Sequence, residues 1–276
     1  MGNLAERVYR AVGRHIVTLS CLQTAETLPK PKLLIFSGFL VDVEGMWFYV
    51  TAGHILSDIR KALAAGSTFD VWRLGDYTAG AKFKGMAIPY HFELDNWLAI
   101  HDEANGLDYA AVPISDLYRS LLAAGDATPI GKEAWGTYVD ENDGWALVGI
   151  PSESIDYDDE TLIKARVVVA PLVLAPIPVG AEAKSENQFY ARFADDPTPF
   201  VKDIDGMSGA PIFSLRKEGE EWKYKVIGVQ SGWYKSSKVL AACPFSSFGQ
   251  ALSDVVIEAK RLYAEMTNGP GNESVA

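Results

Sequence analysis

Short apolar runs dominate the first part of the chain. The segments HIVTLSCL at 15–22, LLIFSGFLVDV at 33–43 and MWFYVTA at 46–52 are rich in β-branched and aromatic residues. Each is short, which predicts strands rather than helices. VEGM at 43–46 reads as the turn of a hairpin. The pattern continues in TFDVWRL at 68–74, AKFKGMAIPY at 81–90 and DYAAVPI at 108–114. Ahead of these, LAERVYRAV at 4–12 has the spacing and charge of a short helix.

The pattern breaks at 116–134. There DLYRSLLAAGDATPIGKEA holds a short helical stretch and then Gly, Asp and Pro, the composition of a boundary between two units. Strand signals then return in WALVGIP at 145–151, TLIKARVVVAPLVLA at 161–175, QFYARFA at 188–194, GAPIFSL at 209–215, WKYKVIGVQSGW at 222–233 and KVLAACP at 238–244. PSESIDYDDE at 151–160 reads as an acidic loop, and RKEGEEW at 216–222 as a charged hairpin tip. Beyond them the period changes. Ser247 and Gln250 have capping-box spacing. Leu252, Val256, Ala259, Tyr263 and Met266 recur at helical intervals, which predicts an amphipathic helix. Residues 268–276 are expected to be a disordered tail. The expectation is an all-β chain in two units, 1–120 and 121–267, built as antiparallel barrels or as a sandwich pair and closed by one helix.

Composition narrows the functions available. The 276 residues are 48% apolar and 22% charged, which excludes gross disorder. A net charge of −11 argues against a nucleic-acid or membrane partner, because phosphates are repelled. With only Cys21 and Cys243 there is at most one disulfide, and Cys21 in its apolar run reads as a buried free thiol. No Cys/His spacing suits zinc, so neither metal nor cofactor is expected. The first residues lack an apolar core followed by a cleavage site, Glu6 stands where a myristoylation motif needs Ser or Thr, and no membrane-length apolar stretch follows. The expected location is cytoplasmic.

Three segments carry candidate chemistry: FYVTAGHIL with His54, GLDYAAVPI with Asp108, and DIDGMSGAPIF with Ser208. Gly206 and Gly209 around Ser208 permit a tight turn that leaves the hydroxyl open. Such a turn can aim backbone N–H groups, those of Gly206 and Ser208, at one point, as an oxyanion hole requires. His54 ends one apolar strand, and Asp108 precedes another. A carboxylate there needs a partner, for which imidazole N–H is suited. Taken singly, each segment also reads as ordinary structure: a Gly-Ser turn, a strand-end histidine, a strand-end cap. Other hydrolase orders fit less well. An α/β-hydrolase needs His after Ser, and no histidine lies beyond His101. A subtilisin order would need Asp42, which falls in a hairpin pattern, and no HExxH is present. His91 and His101 read as incidental loop residues.

Together the segments resemble the trypsin-like, chymotrypsin-fold serine peptidases, particularly their bacterial and cytoplasmic members, from about residue 14 to 250. TAGH stands where that family has TA[AG]H, LDYAAV where it has Asp-x-Ala-hydrophobic, and GMSGAP where it has G-x-S-G-[GAS]-P. The resemblance implies two antiparallel β-barrels of chymotrypsin type with the C-terminal helix appended. It implies a serine endopeptidase acting on a peptide or protein, with His54, Asp108 and Ser208 as catalytic triad and Gly206 and Ser208 as oxyanion donors. It implies a substrate pocket with Lys202 near its base, a lysine that would favour acidic side chains if turned inward, and Ser231, Gly232 and Trp233 as walls. Met207 departs from the family, whose cleavage-activated members carry Asp there to pair with a new N-terminus. The oxyanion hole is then constitutive or formed on binding. Met207 also motivates an alternative, a latent or inactive binding or scaffold module with an activating or targeting protein partner. An esterase on the same fold is a third reading.

Overall fold

A computed structural model describes residues 4–76, 87–137, 143–152, 156–158, 162–164, 167–194, 204, 206–219 and 221–268. The helix α1 (Leu4–Val12) leads into β1 (Ile16–Thr24), β2 (Lys32–Val43) and β3 (Met46–Thr51), then α2 (Gly53–Ala64). Next come β4 (Thr68–Asp76), β5 (Ala87–Pro89), β6 (Leu98–Asp102), β7 (Leu107–Pro113) and α3 (Asp116–Ala124). The strands pair as a seven-stranded sheet in the order β5-β4-β1-β2-β3-β7-β6. The later elements are β8 (Gly144–Gly149), β9 (Asp156–Asp158), β10 (Leu162–Lys164), β11 (Val168–Leu174), β12 (Phe189–Phe193), β13 (Pro211–Glu218), β14 (Glu221–Tyr234), β15 (Val239–Pro244) and α4 (Phe245–Asn268). Six of them close into a barrel in the order β11-β12-β15-β14-β13-β8. A mostly β chain with a closed barrel, a second sheet and a C-terminal helix fits a chymotrypsin-like two-barrel fold.

The apolar runs are continuous because the strands are buried on both faces. Along β3, Trp47 and Tyr49 enter one core with Val17, Leu19, Leu40 and Leu56. Phe48 and Val50 point the other way, into a core shared with Val148, Phe213, Val229, Phe245 and Phe248 from the second half. The barrel has its own filling of Leu147, Ile212, Ile227, Leu240 and Met207. The seam between the halves is therefore apolar. It carries one buried histidine: His15 Nδ1 donates to the Thr128 carbonyl at 2.7 Å and Nε2 meets the Tyr224 hydroxyl at 2.8 Å.

Several elements differ from expectation. LAIHD at 98–102, expected as loop, is the edge strand β6, held by its ladder to β7 despite its exposed, weakly apolar pattern. Within the acidic stretch at 151–160, Asp156–Asp158 pairs with Leu162–Lys164, since a ladder needs only backbone. The charged stretch at 216–222 is the end of the β13–β14 hairpin, as expected, with the ladder reaching Lys217 opposite Trp222. Of the run at 81–90, Ala87–Pro89 is strand, and 81–86 lies outside the described residues. The helix α4 starts at Phe245, ahead of the Ser247/Gln250 spacing. Ser247 Oγ donates to the Pro244 carbonyl and Gln250 reaches Asp254, so no capping box forms. Packing of the fully buried Phe245 sets the start instead. Of the expected tail, Asn268 ends α4 and 269–276 lies outside the described residues. No helix among the described residues is long and apolar enough to cross a membrane.

Candidate active site

The strand β3 ends at Thr51, and α2 begins two residues later with Gly53 and His54. A side chain at 53 would collide with the backbone of both β6 and β7: a Cβ there would sit 2.4 Å from the Ile100 oxygen and 2.7 Å from the Tyr109 oxygen. That close approach sets the first turn of α2 directly against Asp108 on β7. The Asp108 carboxylate then takes two bonds from one residue. The His54 backbone N–H donates to Oδ1 and His54 Nδ1 donates to Oδ2, both at 2.7 Å. Ala52, the residue before α2, supplies no side-chain cap. Asp108 thus caps the helix from another strand, where the dipole favours negative charge.

The pair is enclosed, with the Asp108 side chain 7% exposed and that of His54 25%. Burial pulls the His54 pKa down, but the bond and charge of Asp108, with a contribution from Asp58, outweigh it and hold the pKa above the ordinary 6.5. Since Nδ1 donates to the carboxylate, the neutral ring keeps its lone pair on Nε2.

The Ser208 turn arrives from the barrel. Met207 N–H bonds the Ile204 carbonyl at 2.9 Å, closing a turn in which Gly206 has φ +88°. A positive φ at that third position suits glycine. The Gly206 carbonyl accepts from Ser37 Oγ at 3.0 Å, and that hydroxyl also accepts the Ile150 N–H at 3.0 Å. Ser37, fully buried on β2, therefore fixes the turn from the opposite half. Gly209 (φ +85°) passes so near the His54 segment that a Cβ there would lie 2.0 Å from Thr51 Oγ1 and 2.8 Å from the Ala52 nitrogen. Ser208 is thereby brought beside the chain that carries His54.

Within the turn, the N–H groups of Met207, Gly209 and Ala210 bond the carbonyls of Ile204, Gln230 and Met207. Among the described residues, those of Gly206 and Ser208 have no partner. The half-buried Ser208 hydroxyl likewise makes no hydrogen bond among the described residues. Met207 is fully buried in the barrel core with Ile204 and Ala210, and its Cε would lie 3.3 Å from a Cβ at Gly149. An apolar side chain fills the space that an ion pair would otherwise need.

The remaining expected residues are less completely placed. Ser231 is the bulged residue of β14, between Gln230 opposite Ala242 and Gly232 opposite Ala241. Its hydroxyl accepts from Gln188 Nε2 at 3.3 Å. A Cβ at Gly232 would meet only Ala241, at 3.5 Å. Trp233 is half-buried and tilted against Phe193 at 6.0 Å between centroids. Lys202 lies outside the described residues.

His101, read from the sequence as an incidental loop residue, lies on a strand near His54. It stands opposite Asp108 on β6, its ring centroid is 6.2 Å from that of His54, and its Nδ1 meets Ser57 Oγ at 2.9 Å. Its one signal was a place just upstream of the Asp108 segment, which a hairpin brings alongside.

Cys21 and Cys243 are both free and buried, and burial pushes the Cys243 thiol up to about 11, which makes it a poor nucleophile. Among the described residues no group of three His, Cys, Asp or Glu side chains could hold a metal ion. A cavity of about 680 Å³ opens elsewhere, between Val8 of α1 and strands β8, β11 and β13, and contains none of these residues.

No protein-family model matches the chain, and no curated protein matches it. Solved structures do resemble it. A thermostable serine protease from an extremophilic microorganism is 14% identical, with 88% of this chain and 96% of that chain covered and a TM-score of 0.48. The protease Anisep from Arthrobacter nicotinovorans is 14% identical, with 84% and 90% covered and a TM-score of 0.44. The serine protease domain of the Sesbania mosaic virus polyprotein is 12% identical, with 86% and 91% covered and a TM-score of 0.44.

Proposed function

We propose that the chain is a serine endopeptidase. Ser208 attacks the carbonyl of a peptide bond, and His54 Nε2 takes its proton and returns it to the leaving amine. Asp108 holds the imidazole in the required tautomer and stabilises its charged form. Water then hydrolyses the acyl-enzyme. The N–H groups of Gly206 and Ser208 stabilise the oxyanion, while Ser231, Gly232 and Trp233 line the substrate's path. The observation that carries this reading is the pair of hydrogen bonds that His54 donates to Asp108, from Nδ1 and from the backbone N–H, at 2.7 Å each. It keeps the lone pair of the neutral ring on Nε2, and the N–H groups of Gly206 and Ser208, without partners among the described residues, support the same reading.

The test is hydrolysis of a peptide library by the wild type and by Ser208→Ala, with matched esters alongside. Peptide cleavage lost by about ten-thousand-fold or more in the variant is expected. Hydrolysis of esters without peptides would replace the peptidase by an esterase. A second reading, a latent module completed by a protein partner, draws on the Ser208 hydroxyl, which makes no hydrogen bond among the described residues, although such bonds often tighten only in the bound complex. It predicts no hydrolysis by the protein alone.

A further inference from the structure

The cavity beside α1 lies on the outer face of the barrel. Along β11, Ala170 and Leu172 fill the barrel core, so the alternating residues Val169, Pro171 and Val173 point outward and line the cavity. Leu215 and Lys217 share a face of β13, and Trp222 stands opposite Lys217 on β14. Val8 of α1 adds a wall from outside the barrel. The place is remote from the nucleophile. Pro211, which follows the Ser208 turn, is six residues of strand from Lys217, about 20 Å. At about 680 Å³ the cavity has the size of a small-ligand site.

Charge narrows the occupant. Asp143, Arg216 and Lys217 are the charged residues of the lining. Asp143 Oδ1 accepts from Arg216 Nε at 2.7 Å, and its Oδ2 accepts from Ser214 Oγ. Asp143 and Arg216 therefore neutralise each other, with the carboxylate side chain only 10% exposed. Lys217 has no hydrogen-bond or ion-pair partner among the described residues. An otherwise apolar cavity thus carries one unmatched positive charge, which calls for one negative charge on an apolar body. The backbone narrows it further. β8, the middle strand of this wall, is paired on both sides, with β11 and with β13. It offers no edge to an extended peptide, whose own N–H and C=O groups would be left without partners. A chain without amides avoids that cost.

We infer that this cavity is a binding site for an amphipathic monocarboxylate, of which a medium-chain fatty acid is the simplest form. Its tail lies against Val169, Pro171, Leu215 and Trp222, and its carboxylate pairs with Lys217. The site is separate from Ser208 and does not depend on the peptidase reading. It is tested by isothermal titration calorimetry with decanoate, decanol and decylammonium, each kept below the concentration at which it forms micelles. The proteins are the wild type, Lys217→Glu, which reverses the charge, and Val173→Trp, which fills the cavity from its outward-facing wall. Circular dichroism reports whether each variant is folded.

The wild type is expected to bind one decanoate per chain, about fivefold tighter than decanol, as a solvent-facing ion pair allows, with decylammonium weakest. Lys217→Glu should invert that order. Val173→Trp should weaken all three by about tenfold or more, the effect of losing burial of about two methylenes. A wild type that shows no saturable decanoate binding overturns the inference. So does one that binds decanoate no better than decylammonium, because the charge argument then fails. Decanoate affinity unchanged in folded Val173→Trp overturns it too, by placing the ligand elsewhere. If neither variant folds, the wild-type order of the three ligands decides, and any order other than the expected one overturns the inference.

Discussion

Asp108 on the first sheet and His54 on the helix beside it have their mutual hydrogen bonds already made, whereas the Ser208 turn sits at the barrel with two N–H groups unpaired among the described residues. One half offers titratable side chains whose state follows pH. The other offers backbone groups whose direction follows conformation, held by φ at Gly206 and by a hydroxyl from across the seam. The acid–base half should therefore fail through charge. The nucleophile half should fail through packing.

The largest expected effect separates the two most cleanly. Asp108→Asn removes the carboxylate that fixes the His54 tautomer, and kcat should fall about ten-thousand-fold. The variant should remain folded, which circular dichroism checks. Met207→Asp reverses the pattern. It buries a carboxylate in the apolar cluster of Ile204, Ala210 and Leu147, and should cost about 3–5 kcal/mol in urea denaturation at neutral pH.

The seam histidine gives the next effect. Burial, reinforced by Arg14 and opposed by the bond to Thr128, lowers the His15 pKa to about 4 from 6.5. Below pH 6.5 the unfolded chain binds a proton that the folded chain refuses. Stability should therefore fall by up to about 3 kcal/mol between pH 6.5 and 4 and level off below. His54 has the opposite sign. Its raised pKa contributes stability that is complete below 6.5 and lost as pH rises through the folded value. Urea midpoints of the wild type and of His15→Phe across this range should show the acid slope in the wild type alone.

The smallest effect tests the brace between the halves. Ser37→Ala leaves the buried Ile150 N–H and the Gly206 carbonyl unpaired, at a cost of about 1–3 kcal/mol. If Ser37 orients the turn, kcat should also drop about tenfold with KM little changed, equivalent to about 1.4 kcal/mol. A stability loss without a kcat loss would reduce Ser37 to a purely structural contact.

The central strands could be read from the chain because both their faces are buried, so Phe39 to Val41 and Trp47 to Val50 form unbroken apolar runs. The edge strand β6 could not, since Leu98 and Ile100 are exposed and only its ladder to β7 makes it a strand. The same reason hid His101, whose nearness to His54 is a consequence of that hairpin. Glycines flanking Ser208 and the small residues before His54 were legible because close approaches and positive φ restrict residue type locally. Ser37 carried no local signal. It matters through what folding places across from it, the Gly206 carbonyl and the Ile150 N–H, an effect of sequence separation that no spacing rule captures.

The account turns on Ser208 being activated by His54. The direct measurement is the rate of fluorophosphonate labelling against pH, with the adduct located by mass spectrometry in the wild type and in Ser208→Ala. The account predicts an adduct on Ser208, absent in the variant, formed faster as pH rises through a midpoint above 6.5. A folded wild type that stays unlabelled at every pH, or an adduct that persists in Ser208→Ala, would contradict it.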